Sequence, residues 1–285
     1  MQANKRAALA LAAGLIASPA WAASPYETFV LANNSNVTNL WGFVSDASNS
    51  VGGGAALACT GGCSYGVQVT ASVTGVQLDT SQNSYLTASQ QWSNPCCISA
   101  FALEYVVVYP VAPTHPLVFQ WSNSGTLLNT VSMYFDACYA APHEVITILT
   151  DQSASQVGCN GSPLNDGNAH HVVLSCVNPG SSSSCKTYVD GSLADTITGF
   201  NWNAGFTASA TQYIGNYTPL QQSHVAEAPI GAIVWYTCGA GTTPCLTDAQ
   251  IAADAGCALH GIGCSGTGQS YLLDSRSDTV SYLIH

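Results

Sequence analysis

The sequence predicts an all-β fold, an antiparallel β-sandwich rich in disulfides. Three observations carry this. Short apolar, β-branched runs recur between clusters of Gly, Pro, Ser and Asn along most of the chain. No long run shows the 3.6-residue apolar period of an amphipathic helix. All 12 cysteines lie downstream of an apolar N-terminal segment, and an even number in an exported chain reads as disulfides.

That N-terminal segment has the layout of an export signal. Lys5 and Arg6 precede an apolar stretch from Ala7 to Ser18, and Ala20-Trp21-Ala22 is a small-x-small cleavage site. Residues 1–23 are therefore expected to be a signal peptide, and the product to be secreted. The stretch is too short to span a bilayer, and none after it is long and apolar enough for membrane insertion. Residues 24–264 are expected to form one domain, and residues 265–285 a C-terminal extension.

The clear strands, in order, are 66–73, 100–109, 117–121, 130–135, 144–150, 172–176, 186–189, 212–214 and 230–236. Pro110, Pro113 and Pro116 end the second of them. The one helical run is Leu246–Asp254, where Thr247 suits the N-cap and Asp248 the positive end of the helix. His170–Cys176 and Cys185–Gly191 are strand-like runs flanking a Ser/Gly loop, and the second ends in an Asp190-Gly191 turn that tolerates positive φ.

Cys176 and Cys185 face each other across that loop, where a cross-strand bridge is expected first. Cys59–Cys63, Cys238–Cys245 and Cys257–Cys264 are further local pairs, leaving Cys96, Cys97, Cys138 and Cys159 to pair among themselves. Structural zinc is the rival reading of the cysteines, but no His-x-x-x-His spacing accompanies them.

Charge excludes some partners. After the signal, Lys186 and Arg276 are the only strong bases, against 15 acids. Such a chain has no basic patch for a phosphate backbone, so nucleic acid is excluded, and anionic membrane surfaces are disfavoured. A surface of Ser, Thr, Asn, Gln and Gly suits neutral polar ligands, or packing against copies of itself.

Sugar binding needs an aromatic platform with amide and hydroxyl partners. Trp121-Ser122-Asn123, Tyr139, Asn201-Trp202-Asn203 and Asn216-Tyr217 offer that pairing on loop-like segments. The binding candidates are Trp121, Asn123, Tyr139, Trp202, Asn203 and Tyr217, while Trp41 and Trp235 belong to the core. Gly62-Cys63-Ser64-Tyr65-Gly66 matches G-x-S-x-G but lacks the strand before and helix after that a nucleophile elbow requires. Tyr139 with His143 has the residue types of a lyase pair, without the accompanying bases. The tail segments Tyr271–Leu273 and Val280–Ile284 could add a strand to a sheet of this chain or of a second copy, a route to self-association. The sequons at Asn33, Asn36, Asn160 and Asn216 matter only in a glycosylating source.

Several segments, in order, resemble the laminin-G-like, concanavalin A-like jelly rolls. They are Leu40–Asp46, Val76–Asp79 with Tyr85–Thr87, Phe101–Pro110, Asp166–Val172 with Tyr188–Gly191, Gln212–Asn216, Ile230–Tyr236 and Leu246–Ile251. The stretch from Ser24-Pro25-Tyr26 looks like the family's opening strand. Ala169 stands where the family often has Trp, Gln250 where it has Glu, and Ser265–His285 lies outside the pattern. The resemblance implies a jelly roll in which each strand buries one face and leaves the other to water or ligand, Tyr188 pointing outward and Val189 inward. It implies calcium as a possible cofactor, with Asp46 and Asp79 in segments where relatives place ligands. It makes His170 and His171 structural strand residues. Relatives resembling laminarinases carry two or three carboxylates on one strand; here Glu104 is alone in its strand, and Asp136 and Glu144 lie on separate segments.

The expected function is non-catalytic recognition or adhesion through a neutral glycan or surface polymer. The alternatives are a self-assembling subunit of an extracellular filament or coat, and a polysaccharide-active hydrolase or lyase.

Overall fold

The computed structural model describes residues 22–52, 54–88, 99–108, 117–123, 130–138, 141–150, 155–159, 164, 166–177, 183–200, 210–215, 228–240 and 243–264. The first element is helix α1 (Pro25–Asn33), followed by strands β1 (Val37–Trp41), β2 (Leu57–Thr60), β3 (Cys63–Gln68), β4 (Thr74–Leu78), β5 (Tyr85–Ala88) and β6 (Ser99–Val108). Then come β7 (Leu117–Asn123), β8 (Thr130–Cys138), β9 (Ala141–Thr150), β10 (Ser155–Cys159), β11 (Ala169–Val177), β12 (Ser183–Val189), β13 (Ser192–Phe200), β14 (Ala210–Ile214) and β15 (Ile230–Ala240). Helix α2 (Asp248–His260) follows.

Among the described residues, the strands form two antiparallel sheets. Sheet I has eight strands in the order β13-β12-β11-β6-β15-β4-β3, with β1 also paired to β15. Sheet II has seven, in the order β10-β9-β8-β7-β14-β5-β2. They pack face to face as a jelly-roll sandwich. Trp41, Leu103, Tyr105, Val172, Leu174, Ile233 and Trp235 of sheet I meet Leu57, Leu86 and Ile214 of sheet II in one core. Phe101 and Trp235 stack there with ring centroids 5.1 Å apart.

The other face of sheet I is covered over its central strands. Leu40, Ala102, Val106, Val173, Val234 and Tyr236 form a second core with Tyr26 and Val30 of α1 and Ile251, Cys257 and Ala258 of α2. The molecule is therefore three layers deep, and strands buried on both faces lose their alternation. In β11, all seven residues from His170 to Cys176 are buried. Tyr188, expected to point outward to water, is only 3% exposed, and its hydroxyl donates to Asp248 Oδ1 of α2 at 2.7 Å.

Two further expectations are corrected. The stretch from Ser24, expected as an opening strand, is helical over Pro25–Asn33. Ser24 Oγ accepts from the Glu27 N–H, Glu27 Oε2 accepts from the Ser24 N–H at 2.8 Å, and Pro25 starts the helix. This is a capping box with proline where its missing donor costs nothing. The strand expected over 66–73 runs instead over Cys63–Gln68. It bulges between Tyr65 and Val67, where Gly66 has φ 72°, and Thr70 Oγ1 then turns the chain by accepting from the N–H groups of Ser72 and Val73. No helix follows Ser64, so the elbow requirement is unmet.

Helix α2 extends beyond the run expected for it. Thr247 and Gln250 form its capping box, and Gly261, at φ 69°, closes it. The hairpin between β12 and β13 turns on Asp190 and Gly191, at φ 51° and 80°, the primed geometry that matches strand twist. Disulfides join Cys59–Cys63, Cys176–Cys185, Cys238–Cys245 and Cys257–Cys264. Cys176 and Cys185 are direct register partners. Among the described residues no helix is long and apolar enough to cross a membrane.

Candidate functional site

Among the described residues, a buried group of titratable side chains lies between sheet I and the helices. Strand parity builds it. Val173 and Val234 flank Glu104 on the neighbouring strands, while His171 pairs with Val106 and Tyr236 with Ala102. Residues two apart share a face, so His171 and Tyr236 reach Glu104 diagonally from either side. Helix α1 supplies Tyr26 from above.

Glu104 Oε1 accepts from the Tyr26 hydroxyl and faces His171 Nε2 at 2.8 Å, while Oε2 accepts from the Tyr236 hydroxyl at 2.5 Å. Glu104, His171, Tyr26 and Tyr236 are all 0% exposed. Burial first, and then the Glu104 charge, push both tyrosine hydroxyls well above their ordinary pKa. Asp254 of α2 completes the group. Burial and the Glu104 charge raise its carboxyl to about 9, so it is protonated at neutral pH. Asn34 Nδ2 lies 3.1 Å from both Asp254 oxygens, and Asn34 Oδ1 accepts from Gln250 Nε2 at 2.9 Å.

The group contains an acid, a base and two phenols, yet no substrate atom can reach them. Its chemistry is that of a clasp. One buried carboxylate, with its partners in place, joins β6, β11, β15 and α1.

His170 ends the same strand differently. Its Nδ1 lies 2.9 Å from Asp190 Oδ2 and its Nε2 3.1 Å from Asp166 Oδ1. Burial works against its charge, but the bonds and charges of Asp190 and Asp166 outweigh it and hold the imidazole above its ordinary pKa. Asp166, with Asn168 and His170 as donors, is drawn down to about 2. Asp190 Oδ1 also accepts from the His171 N–H at 2.9 Å. Both histidines thus tie β11 to neighbouring segments.

Sheet II is organised otherwise. Leu86 and Ile214, register partners across β5 and β14, are both 0% exposed and face the sandwich core. Their neighbours Tyr85 and Tyr213 stand on the opposite, outer face and are half-buried. The two rings meet edge to face, with centroids 5.9 Å apart and planes at 60°. Thr87 is the register partner of Tyr213, and Thr60 that of Tyr85. Thr60 and Ala58 are exposed. Both helices pack on sheet I, not here.

The residues proposed from sequence fall as follows. Trp121 and Asn123 lie in strand β7, not in a loop, opposite Gln212 and Ala210 of β14. Tyr139, Trp202, Asn203 and Tyr217 lie outside the described residues, as do Cys96 and Cys97 and the tail 265–285. Trp41 and Trp235 are in the core, at 0% and 1% exposure. Asp79 caps a short 3₁₀ turn, its Oδ1 accepting from Ser81 N–H and Oγ and its Oδ2 from Gln82 Nε2. Asp46 Oδ1 accepts from the Ser48 N–H. Among the described residues no three His, Cys, Asp or Glu side chains come together as a metal-holding group.

Asp136 and Glu144, on separate segments in sequence, are direct register partners on β8 and β9. The pairing of Tyr85 with Tyr213 escaped the sequence reading. Alternation in each short strand gives the outer face of each tyrosine, but only the pairing of β5 with β14 brings the two together.

No family model matches the chain, and no curated protein matches it. Solved structures do. Domain 4 of AbnA, a GH43 extracellular arabinanase from Geobacillus stearothermophilus, determined in complex with arabinotriose, is 17% identical with a TM-score of 0.59, over 78% of this chain and 99% of that one. The binding domain of Paraclostridial Mosquitocidal Protein 1 is 12% identical with a TM-score of 0.51, over 77% of this chain. The binding domain of Botulinum Neurotoxin DC, in complex with SialylT, is 10% identical with a TM-score of 0.53, over 78% of this chain. This chain spans about half the length of the two toxin structures, 52% and 51%. At such identities the shared property is the β-sandwich fold.

Proposed function

We propose that the protein is an exported, laminin-G-like recognition module that binds a neutral glycan or surface polymer without transforming it. The observation that carries this is the asymmetry of the two sheets. The central strands of sheet I, β11, β6 and β15, are covered on both faces, with Glu104 and Asp254 locked inside. Sheet II presents partly exposed tyrosines beside threonines, without a charged residue among Ala58, Thr60, Tyr85, Thr87 and Tyr213. An uncharged aromatic and hydroxyl surface suits sugar rings, whose C–H faces stack and whose hydroxyls exchange hydrogen bonds. The scarcity of lysine and arginine disfavours acidic polymers as ligands. The sandwich shared with an arabinotriose-bound domain supports the same reading.

Affinity electrophoresis tests it, with arabinan, xylan, laminarin and galactan each cast into native gels. Retarded migration in at least one gel, with no release of reducing ends, is the expected result. Unretarded migration in all four would overturn the reading.

One observation favours a hydrolase instead. Asp136 directly opposite Glu144 places two carboxylate residues across a strand pair, where like charges are ordinarily unfavourable. Release of reducing ends that disappears in Glu144→Gln would replace recognition by catalysis.

A further inference from the structure

We infer that Tyr85 and Tyr213 together form the sugar-stacking platform of this module, on the outer face of sheet II at its β2-β5-β14 end. The inference rests on the recognition reading above and gives it an address.

Period-two alternation places the two rings outside. Leu86 and Ile214 fill the sandwich core at 0% exposure, so the residues immediately before them project the other way. Tyrosine on an outer sheet face ordinarily packs against a cross-strand neighbour. Here the neighbour is the second tyrosine, reached diagonally because Tyr213 is opposite Thr87 and Tyr85 lies two residues before it.

The edge-to-face contact at 60° angles the two rings against each other, so together they form a shallow trough instead of a flat plate. Both residues keep part of their surface exposed beside that contact. Thr87 and Thr60 sit on the same outer face, in register with Tyr213 and Tyr85, and put hydroxyls beside the rings. Thr60 and Ala58, on the terminal strand β2, are exposed, so a polymer chain can enter from the sheet edge.

The occupant that fits is a neutral oligosaccharide. A phosphorylated or sulfated ligand would need a cation, and none of Ala58, Thr60, Tyr85, Thr87 and Tyr213 provides one. A protein partner would need a broader apolar surface than two half-buried rings supply.

The test uses the full oxidised chain in the same four polysaccharide gels. Tyr85→Ala/Tyr213→Ala is expected to weaken retardation at least about tenfold in apparent Kd, the loss usual when a stacked aromatic anchor is truncated. Tyr85→Phe/Tyr213→Phe keeps the rings and should retain most of the binding. Thr87→Arg leaves both tyrosines in place and fills the trough, so it should weaken binding comparably even where the double alanine variant misfolds. A wild-type protein retarded by a polysaccharide, with the alanine and arginine variants retarded equally, would overturn the platform and leave the recognition reading standing. A wild-type protein retarded by none would remove both.

Discussion

The two sheets of this sandwich carry the same backbone pattern to opposite ends. Sheet I turns its second face into an interior under α1 and α2, and there it buries Glu104, His171, Tyr26 and Tyr236 completely. Sheet II leaves Tyr85 and Tyr213 partly exposed. On the covered face a missing partner is costly, because water cannot compensate for it; Glu104 meets three protein donors there, while His171 Nδ1 meets none among the described residues. On the open face a polar side chain costs nothing and remains available to a ligand. Polar residues on a sheet therefore mean cohesion in one place and recognition in the other.

The strongest way to break the contrast is Glu104→Ala. It strands two buried hydroxyls and an imidazole, and should cost about 3–5 kcal/mol in urea unfolding. A loss below about 1 kcal/mol would show that the clasp is not what holds the helical layer.

The next effect is on pH dependence. The folded pKa of Asp254, about 9, lies above its ordinary 3.8, so the folded state holds a proton that the unfolded chain has lost. Its contribution is fully present below about pH 4 and declines until about pH 9. His170, also raised, adds stability that is lost as pH climbs through its folded pKa. The melting temperature should therefore fall between about pH 5 and pH 9. Asp254→Asn should flatten that slope, and an equally steep slope in the variant would take Asp254 out of the account.

The smallest effect expected is that of Ser24→Ala, which removes one half of the α1 capping box. It should cost roughly 0.5–2 kcal/mol by thermal unfolding, with the sheets intact. Sheet dichroism lost together with the cap would mean that the helices are required for sheet I to form.

Much of the sandwich is legible in the sequence, and for local reasons. β6 and β15 are long apolar runs, β12 ends in an Asp-Gly turn, and the bridged cysteines stand only 4 to 9 residues apart. Helix α1 was legible too, in Ser24-Pro25-Tyr26-Glu27, but an expected opening strand masks that signal. The clasp was not. The partners of Glu104 lie 67, 78 and 132 residues away, and no local pattern announces a meeting of that range. For the same reason Asp136 and Glu144 look unrelated until β8 and β9 pair. Of the binding aromatics chosen from sequence, Trp121 lies in a strand. The tyrosine pair escaped because it depends on which strands become neighbours in sheet II.

The short spans of the disulfides bear on how the molecule is made. Among the described residues, each bridge closes a loop of its own hairpin, turn or helix end, whereas β6 must find β11 and β15 across long stretches of chain. Oxidation at these four sites therefore needs no finished topology, only neighbours that the chain brings together quickly by itself. The cross-links can be in place before the slow search for sheet partners begins, and they narrow that search without dictating its outcome.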